Sequence, residues 1–194
     1  MNALDDVSIE LSSKCTCACP KCPRTIMKGS YDEIDLSLSH ISQILDTRPK
    51  HVSLLGNLGD PIYHDQFPQI IKMLGERRQR FSVFTMGSGY DEEFWYDVFT
   101  SYQDPNGECN WIFSVDGVNH SAGIYRQGLI FDQSWTAMQM GARLGKNITW
   151  HYIVFSHNQD DIEAARRLCA DNGIYFKLDF NEKWDGDTDI WKPT

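Results

Sequence analysis

The chain has 194 residues, 41% of them hydrophobic, with six Trp, ten Phe and eight Tyr, 18 basic and 27 acidic side chains and a formal charge of −9. That fits a single globular domain, residues 1–194, with a real core, and excludes a disordered chain; the acidic balance argues against a nucleic-acid partner, whose phosphates it would repel. No stretch approaches the ~20 apolar residues of a membrane span, and the acidic N-terminus is not a signal peptide, so the expected setting is a reducing cytoplasm in which the six cysteines are thiols or metal ligands.

Short apolar runs alternate with segments of helical period. A first strand is predicted over residues 7–12, then a helix over 38–45 with Leu38, Ile41 and Leu45 on one face. A second strand over 52–55 leads to a helix over 67–76, with Asp65 as its expected N-cap and Pro68 in its first turn. Arg77, Arg78 and Arg80 read as its solvated end. A third strand over 81–85 is followed by a helix from about Asp91 that buries Phe94, Trp95, Val98 and Phe99. The fourth strand, 111–115, precedes a helix that begins after Asp132 and packs through Trp135, Met138 and Ala142. The fifth, 149–155, is followed by a helix capped by Asn158, packed through Ile162, Ala165 and Leu168, and closed by Gly173. The sixth is 175–180, and 181–194 reads as a polar tail.

This alternation predicts an α/β chain with a parallel sheet and right-handed crossovers. A doubly wound sheet and a partial (β/α) barrel share it. Either architecture collects functional residues at the carboxyl ends of the strands. Those ends read Cys15 to Cys22, Gly56 to Pro61, Thr85 to Gly89, Ser114 to Gly117, Ser156 to Asn158 and Asp179 to Glu182. Each carries cysteine, glycine or small polar residues.

Four cysteines in eight residues, Cys15, Cys17, Cys19 and Cys22, are the strongest signal. A strained short-range disulfide is disfavoured. A zinc site wants four ligands, usually in two separated pairs, and Cys109 and Cys169 stand alone. An electron-carrying cluster wants four thiolates at ferredoxin spacing. Three cysteines at C-x3-C-x2-C would instead leave one iron of a [4Fe–4S] cluster open for catalysis.

That spacing, directly after the first strand, resembles the radical S-adenosylmethionine (SAM) superfamily, and the Cys-Pro-Lys-Cys-Pro-Arg run resembles members that carry SPASM or twitch extensions. The resemblance extends to Gly56 to Pro61 (a glycine-rich turn with Asp60 where many members have Glu), Thr85-Met86-Gly87, Ser114 and Asp116 of Ser-x-Asp-Gly, Tyr125-Arg126-Gln127-Gly128, and Ser156-His157-Asn158. It implies a partial (β/α)6 TIM-like barrel over about residues 7–180, with Cys15, Cys19 and Cys22 holding a [4Fe–4S] cluster. It implies SAM contacts from Gly56, Gly59, Asp60, Thr85, Ser114, Asp116 and Arg126, the glycine turn meeting the methionine amino group and Ser114 and Asp116 lying near the ribose. The implied reaction is reductive cleavage of SAM to methionine and a 5′-deoxyadenosyl radical. That radical abstracts hydrogen from a peptide or small metabolite, with the electron coming from an external flavodoxin- or ferredoxin-type reductant. A metal-binding interaction module, and a SAM-binding core inactive without a partner, are the alternatives. Two departures stand out: Lys21 occupies the position before the third cysteine where many members have an aromatic residue, and no extension for auxiliary clusters is expected.

The remaining polar and sulfur residues read as structural. Cys109 and Cys169 are expected as buried small hydrophobes, Met86, Met138 and Met140 as core packing, and His64 and His157 as structural histidines. Asp179, Asn181 and Glu182 are expected on the surface.

Overall fold

The computed structural model describes residues 5–27, 30, 32–104, 106–180 and 189–193. Six strands, β1 (Asp6–Glu10), β2 (His51–Leu55), β3 (Phe81–Thr85), β4 (Asn110–Ser114), β5 (Asn147–Val154) and β6 (Tyr175–Phe180), form one parallel sheet in the order 1-2-3-4-5-6. A doubly wound sheet would reverse its order at a switch point. This one does not, and it does not close, so the architecture is the partial barrel.

Helices cover one face. After a single-turn α1 (Pro23–Ile26), the crossovers are α2 (Leu38–Asp46), α3 (Phe67–Glu76), α4 (Glu92–Thr100), α6 (Phe131–Arg143) and α7 (Ile162–Asn172), with a short α5 (Ala122–Tyr125) ahead of α6. Strand alternation decides which side chains meet them. On β5, Ile148, Trp150, Tyr152 and Val154 are buried while Thr149, His151 and Ile153 are half-exposed on the other face. The core is aromatic. Trp111 makes edge-on contacts with Phe67, Phe81, Trp95 and Phe99 at 4.9–6.3 Å, and its indole N–H donates to the Tyr102 hydroxyl at 2.7 Å.

Ser37 and Asp91 cap α2 and α4 through their side chains, and Gly173 ends α7 at φ 66°. Cys109, Cys169, Met86 and Met138 are buried as expected. Three local expectations are corrected. Asp65 does not cap α3, because the Lys14 ammonium holds its carboxylate at 2.6 Å and Gln66 takes the cap position. Asn158 does not cap the long helix, which starts at Ile162 after a turn of 3-10 helix; its amide is committed elsewhere. Helix α6 starts at Phe131, two residues before the expected start, while Met138 is buried and Trp135 and Ala142 pack half-buried against the core as expected.

Candidate functional site

The loop after β1 carries the cysteines and is fixed from three directions. Arg24 donates to the carbonyls of Ser13 and Cys17, both at 3.2 Å, and pairs with Glu33 at 2.9 Å. The Ala18 N–H donates to Gln127 O at 2.8 Å, and Gly128, at φ 100°, lets that segment approach; a Cβ there would lie 2.7 Å from Thr16 O. Lys14 bridges Asp35 at 2.8 Å and Asp65 at 2.6 Å. Burial would raise the Asp35 pKa, but the Lys14 ammonium and the Ser12 hydroxyl bring it down to about 2.

The loop after β2 packs directly onto this frame. A Cβ on Gly59 would lie 2.2 Å from Ser12 O, and one on Gly56 2.4 Å from Gly59 O, so both glycines serve close backbone approach. Asp60 is buried. It accepts from Ile62 N–H at 3.2 Å with one oxygen, and from Met86 N–H at 2.7 Å and the Thr85 hydroxyl at 3.0 Å with the other. Burial outweighs these bonds and raises its pKa to about 6.

Asp116 after β4 is fully buried. One of its oxygens accepts from Arg126 Nε at 2.7 Å, the other from Ile153 N–H at 2.9 Å. Burial works against the Arg126 charge, but Asp116 and the nearby Cys19 raise its pKa. Asn158 clips the same region together: its Oδ1 accepts from Phe155 N–H at 2.8 Å, and its Nδ2 donates to Asp116 O and Ile153 O at 3.1 and 3.0 Å.

These strand ends enclose a cavity of about 590 Å³. Cys15, Cys19 and Cys22 line it, together with Gly56, Gly59, Asp60, Thr85, Ser114 and Arg126. Of the predicted contact residues Asp116 alone stands behind the wall, holding Arg126. Cys17 is interior, 4% exposed, with its thiol 3.7 Å from Arg126 O. Its thiol hydrogen-bonds with those of Cys15 and Cys19, which lowers the Cys15 pKa and brings Cys19 to about 7, while Cys17 itself is raised. All six cysteines are free thiols. Among the described residues no three His, Cys, Asp or Glu side chains converge to hold a single metal ion.

The cavity wall also includes residues outside the predicted contact set. Tyr125, Phe155, Phe84 and Ile153 line it. Asp179, expected on the surface, also lines it; it accepts from His151 Nε2 at 2.6 Å and Lys177 Nζ at 2.8 Å. Its partner His151 lies on the same face as Asp179 because β5 and β6 run in register, Ile153 opposite Asp179. Asn181 and Glu182 lie outside the described residues. A second cavity, about 610 Å³, opens at the amino ends of the strands between Arg78, Tyr102 and Asp104 and carries none of this chemistry.

No family model matches the sequence, and no curated protein matches it. Solved structures do. Streptococcus suis SuiB bound to S-adenosylmethionine superposes with a TM-score of 0.75 at 16% identity, over 99% of this chain and 44% of that one. The structure of anSMEcpe with bound AdoMet matches at 0.63 and 13%, over 96% and 56%. OxsB, a cobalamin-dependent S-adenosylmethionine radical enzyme, matches at 0.56 and 16%, over 94% and 28%. The fold is that of the radical SAM core. The chain thus spans about half or less of these proteins, and what it shares with them is the core sheet with its helices, whose strand ends here form the cysteine-lined cavity. Among the described residues no helix is long and apolar enough to cross a membrane.

Proposed function

We propose that this chain is a radical SAM enzyme core in which Cys15, Cys19 and Cys22 hold a [4Fe–4S] cluster and the neighbouring strand ends hold SAM. The observation that carries the proposal is the shared cavity: the C-x3-C-x2-C thiols face the same space as the Gly56 to Asp60 turn, Thr85, Ser114 and Arg126. The donor set suits the group, since thiolates are the ligands iron–sulfur clusters take, and its size suits a cofactor-sized ligand.

The bound cluster and SAM supply the hard chemistry, reductive cleavage of the sulfur–C5′ bond to a 5′-deoxyadenosyl radical that abstracts substrate hydrogen. The chain binds, orients and excludes water. Cys19, already near its pKa at neutral pH, gives up its proton at little cost. Asp60 offers a carboxylate to the methionine ammonium, and Gly56 and Gly59 let the turn that carries it pack closely on itself and on Ser12. Ser114 offers a hydroxyl toward the ribose, and Asp116 acts through Arg126, whose charge it fixes at the cavity wall. Cys17, turned into the protein, is not a ligand in this reading.

A peptide or a small metabolite is the substrate class; that SuiB has been solved bound to its precursor peptide SuiA supports the former. The electron comes from an external flavodoxin- or ferredoxin-type reductant. Six free thiols suit a reducing cytoplasm.

The test is anaerobic reconstitution, dithionite reduction with SAM, and chromatographic detection of 5′-deoxyadenosine and methionine. Both products are expected. Alanine at Cys15, Cys19 or Cys22 is expected to abolish them, while Cys17→Ala retains most of the yield. Equal loss at Cys17 overturns the ligand assignment. A cluster that leaves SAM intact assigns a partner-dependent core, and one zinc per chain without iron assigns a metal-binding interaction module.

A further inference from the structure

Residues 189–193 return to the barrel mouth and touch the cavity wall at several points. Asp189 is buried, its side chain 3% exposed, and is ion-paired with Lys21 of the cysteine loop. Trp191 N–H donates to Asp189 at 3.1 Å, while Ser156 donates through N–H to Trp191 O at 3.1 Å and through its hydroxyl to Ile190 O at 2.6 Å. The Trp191 ring stands edge-on to Tyr125 at 5.1 Å, to Phe155 at 6.3 Å and to His157 at 5.7 Å, with interplanar angles of 83°, 79° and 84°. Those three rings are themselves stacked: Tyr125 on Phe155 at 4.3 Å and Phe155 on His157 at 5.6 Å. The Tyr125 hydroxyl accepts from the Lys21 backbone N–H. Lys21, Tyr125 and Phe155 all line the cavity.

Core packing alone does not require this arrangement. A buried carboxylate is costly unless paired, and Asp189 is paired with the one lysine that stands between Cys19 and Cys22. An aromatic stack braced edge-on by a fourth ring holds a flat face rigidly at low entropic cost. Tyr125 and His157 are its half-buried outer members, and of these two Tyr125 lines the cavity. The stack supplies aromatic surface to the cavity that Cys19, Lys21 and Cys22 also line.

We infer that Asp189 and Trp191 are positioning residues of the cofactor site: they brace Lys21 and the Tyr125–Phe155 stack, and Tyr125 is the platform on which the purine ring of an adenosyl ligand lies. The inference rests on the radical SAM reading for the identity of that ligand.

Equilibrium dialysis of the reconstituted full chain tests it, with SAM, 5′-methylthioadenosine and methionine as separate probes and iron per chain measured beside them. Trp191→Ala, Asp189→Ala and Tyr125→Leu are each expected to weaken SAM and methylthioadenosine by roughly tenfold or more, the order of one lost base stack, with methionine binding and iron content unchanged. Tyr125→Leu keeps apolar bulk, so it reads the platform even where Trp191→Ala fails to fold. The exchange Lys21→Asp with Asp189→Lys is expected to recover affinity lost in Asp189→Ala. Nucleoside affinity within twofold of wild type in Tyr125→Leu overturns the inference, as does a wild type that holds iron and methionine but takes no nucleoside. A wild type that binds the nucleoside and holds no iron overturns the cluster reading instead and leaves the platform standing.

Discussion

Burial sets the chemistry of Asp60. Its carboxylate receives three hydrogen bonds, yet desolvation still raises its pKa to about 6. A carboxyl group with a raised folded-state pKa contributes stability that is full below its unfolded value near 4 and is lost as pH rises through 6. Wild type is therefore expected to lose roughly 2 kcal/mol relative to Asp60→Asn between pH 4.5 and pH 7.5. Urea denaturation of both proteins at both pH values measures it. Comparing differences cancels the pH-independent effect of placing an amide against Ile62 N–H. A stability gap that does not change with pH would show that Asp60 titrates normally. In the proposed function the retained charge is what meets the methionine ammonium of SAM, so Asp60→Asn is also expected to weaken SAM binding while relieving the pH penalty.

At the scale of elements, Asn158 ties the loop after β4 to the loop after β5. Removing its amide leaves Phe155 N–H, Asp116 O and Ile153 O buried without that partner, so Asn158→Ala is expected to cost about 2–4 kcal/mol in chemical denaturation. Asn158→Asp discriminates roles. At a helix N-cap aspartate replaces asparagine with little change; here it would set a charge against two carbonyls, and it is expected to be at least as damaging as alanine. Parity of Asp with wild type would restore the cap reading. This also shows what sequence conveys and what it hides. Asn followed by acids and a helical period reads locally as a cap, because the true partners, such as Asp116, lie far away in the chain. Asp65 is hidden the same way by Lys14. By contrast Asp91 and Gly173 act within a few residues of themselves, and both are legible. The cavity divides likewise. Cysteine spacing and glycine turns are local patterns, and their residues line it together. Tyr125, Phe155, Trp191 and the His151–Asp179 pair meet only through strand register and the returning 189–193 segment.

Across the whole molecule, alternating strands and helices predict a parallel sheet, but not whether it is doubly wound or barrel-like, because periodicity records faces and not neighbours. The observed order 1-2-3-4-5-6 puts β3 and β4 at the centre and, among the described residues, makes β1 and β6 the edge strands. Burial follows. Phe81, Ser82, Val83 and Thr85 of β3 are buried, and Trp111 and Phe113 of β4 are fully so, whereas β6 has no fully buried residue and exposes Tyr175 and Phe180. Edge strands have one flank unpaired and open at lower free energy than central ones. Native-state hydrogen exchange is therefore expected to be slowest, through global unfolding, at Val83, Trp111 and Phe113. Amides of β6 are expected to exchange through smaller openings with little denaturant dependence. If β6 exchanged as slowly as β4, with the same denaturant dependence, the sheet would be a single cooperative unit. If it does not, the edge that carries Asp179 opens below the free energy of global unfolding, which lets that wall of the cavity move while the Asp60 turn, between β2 and the central β3, stays in place.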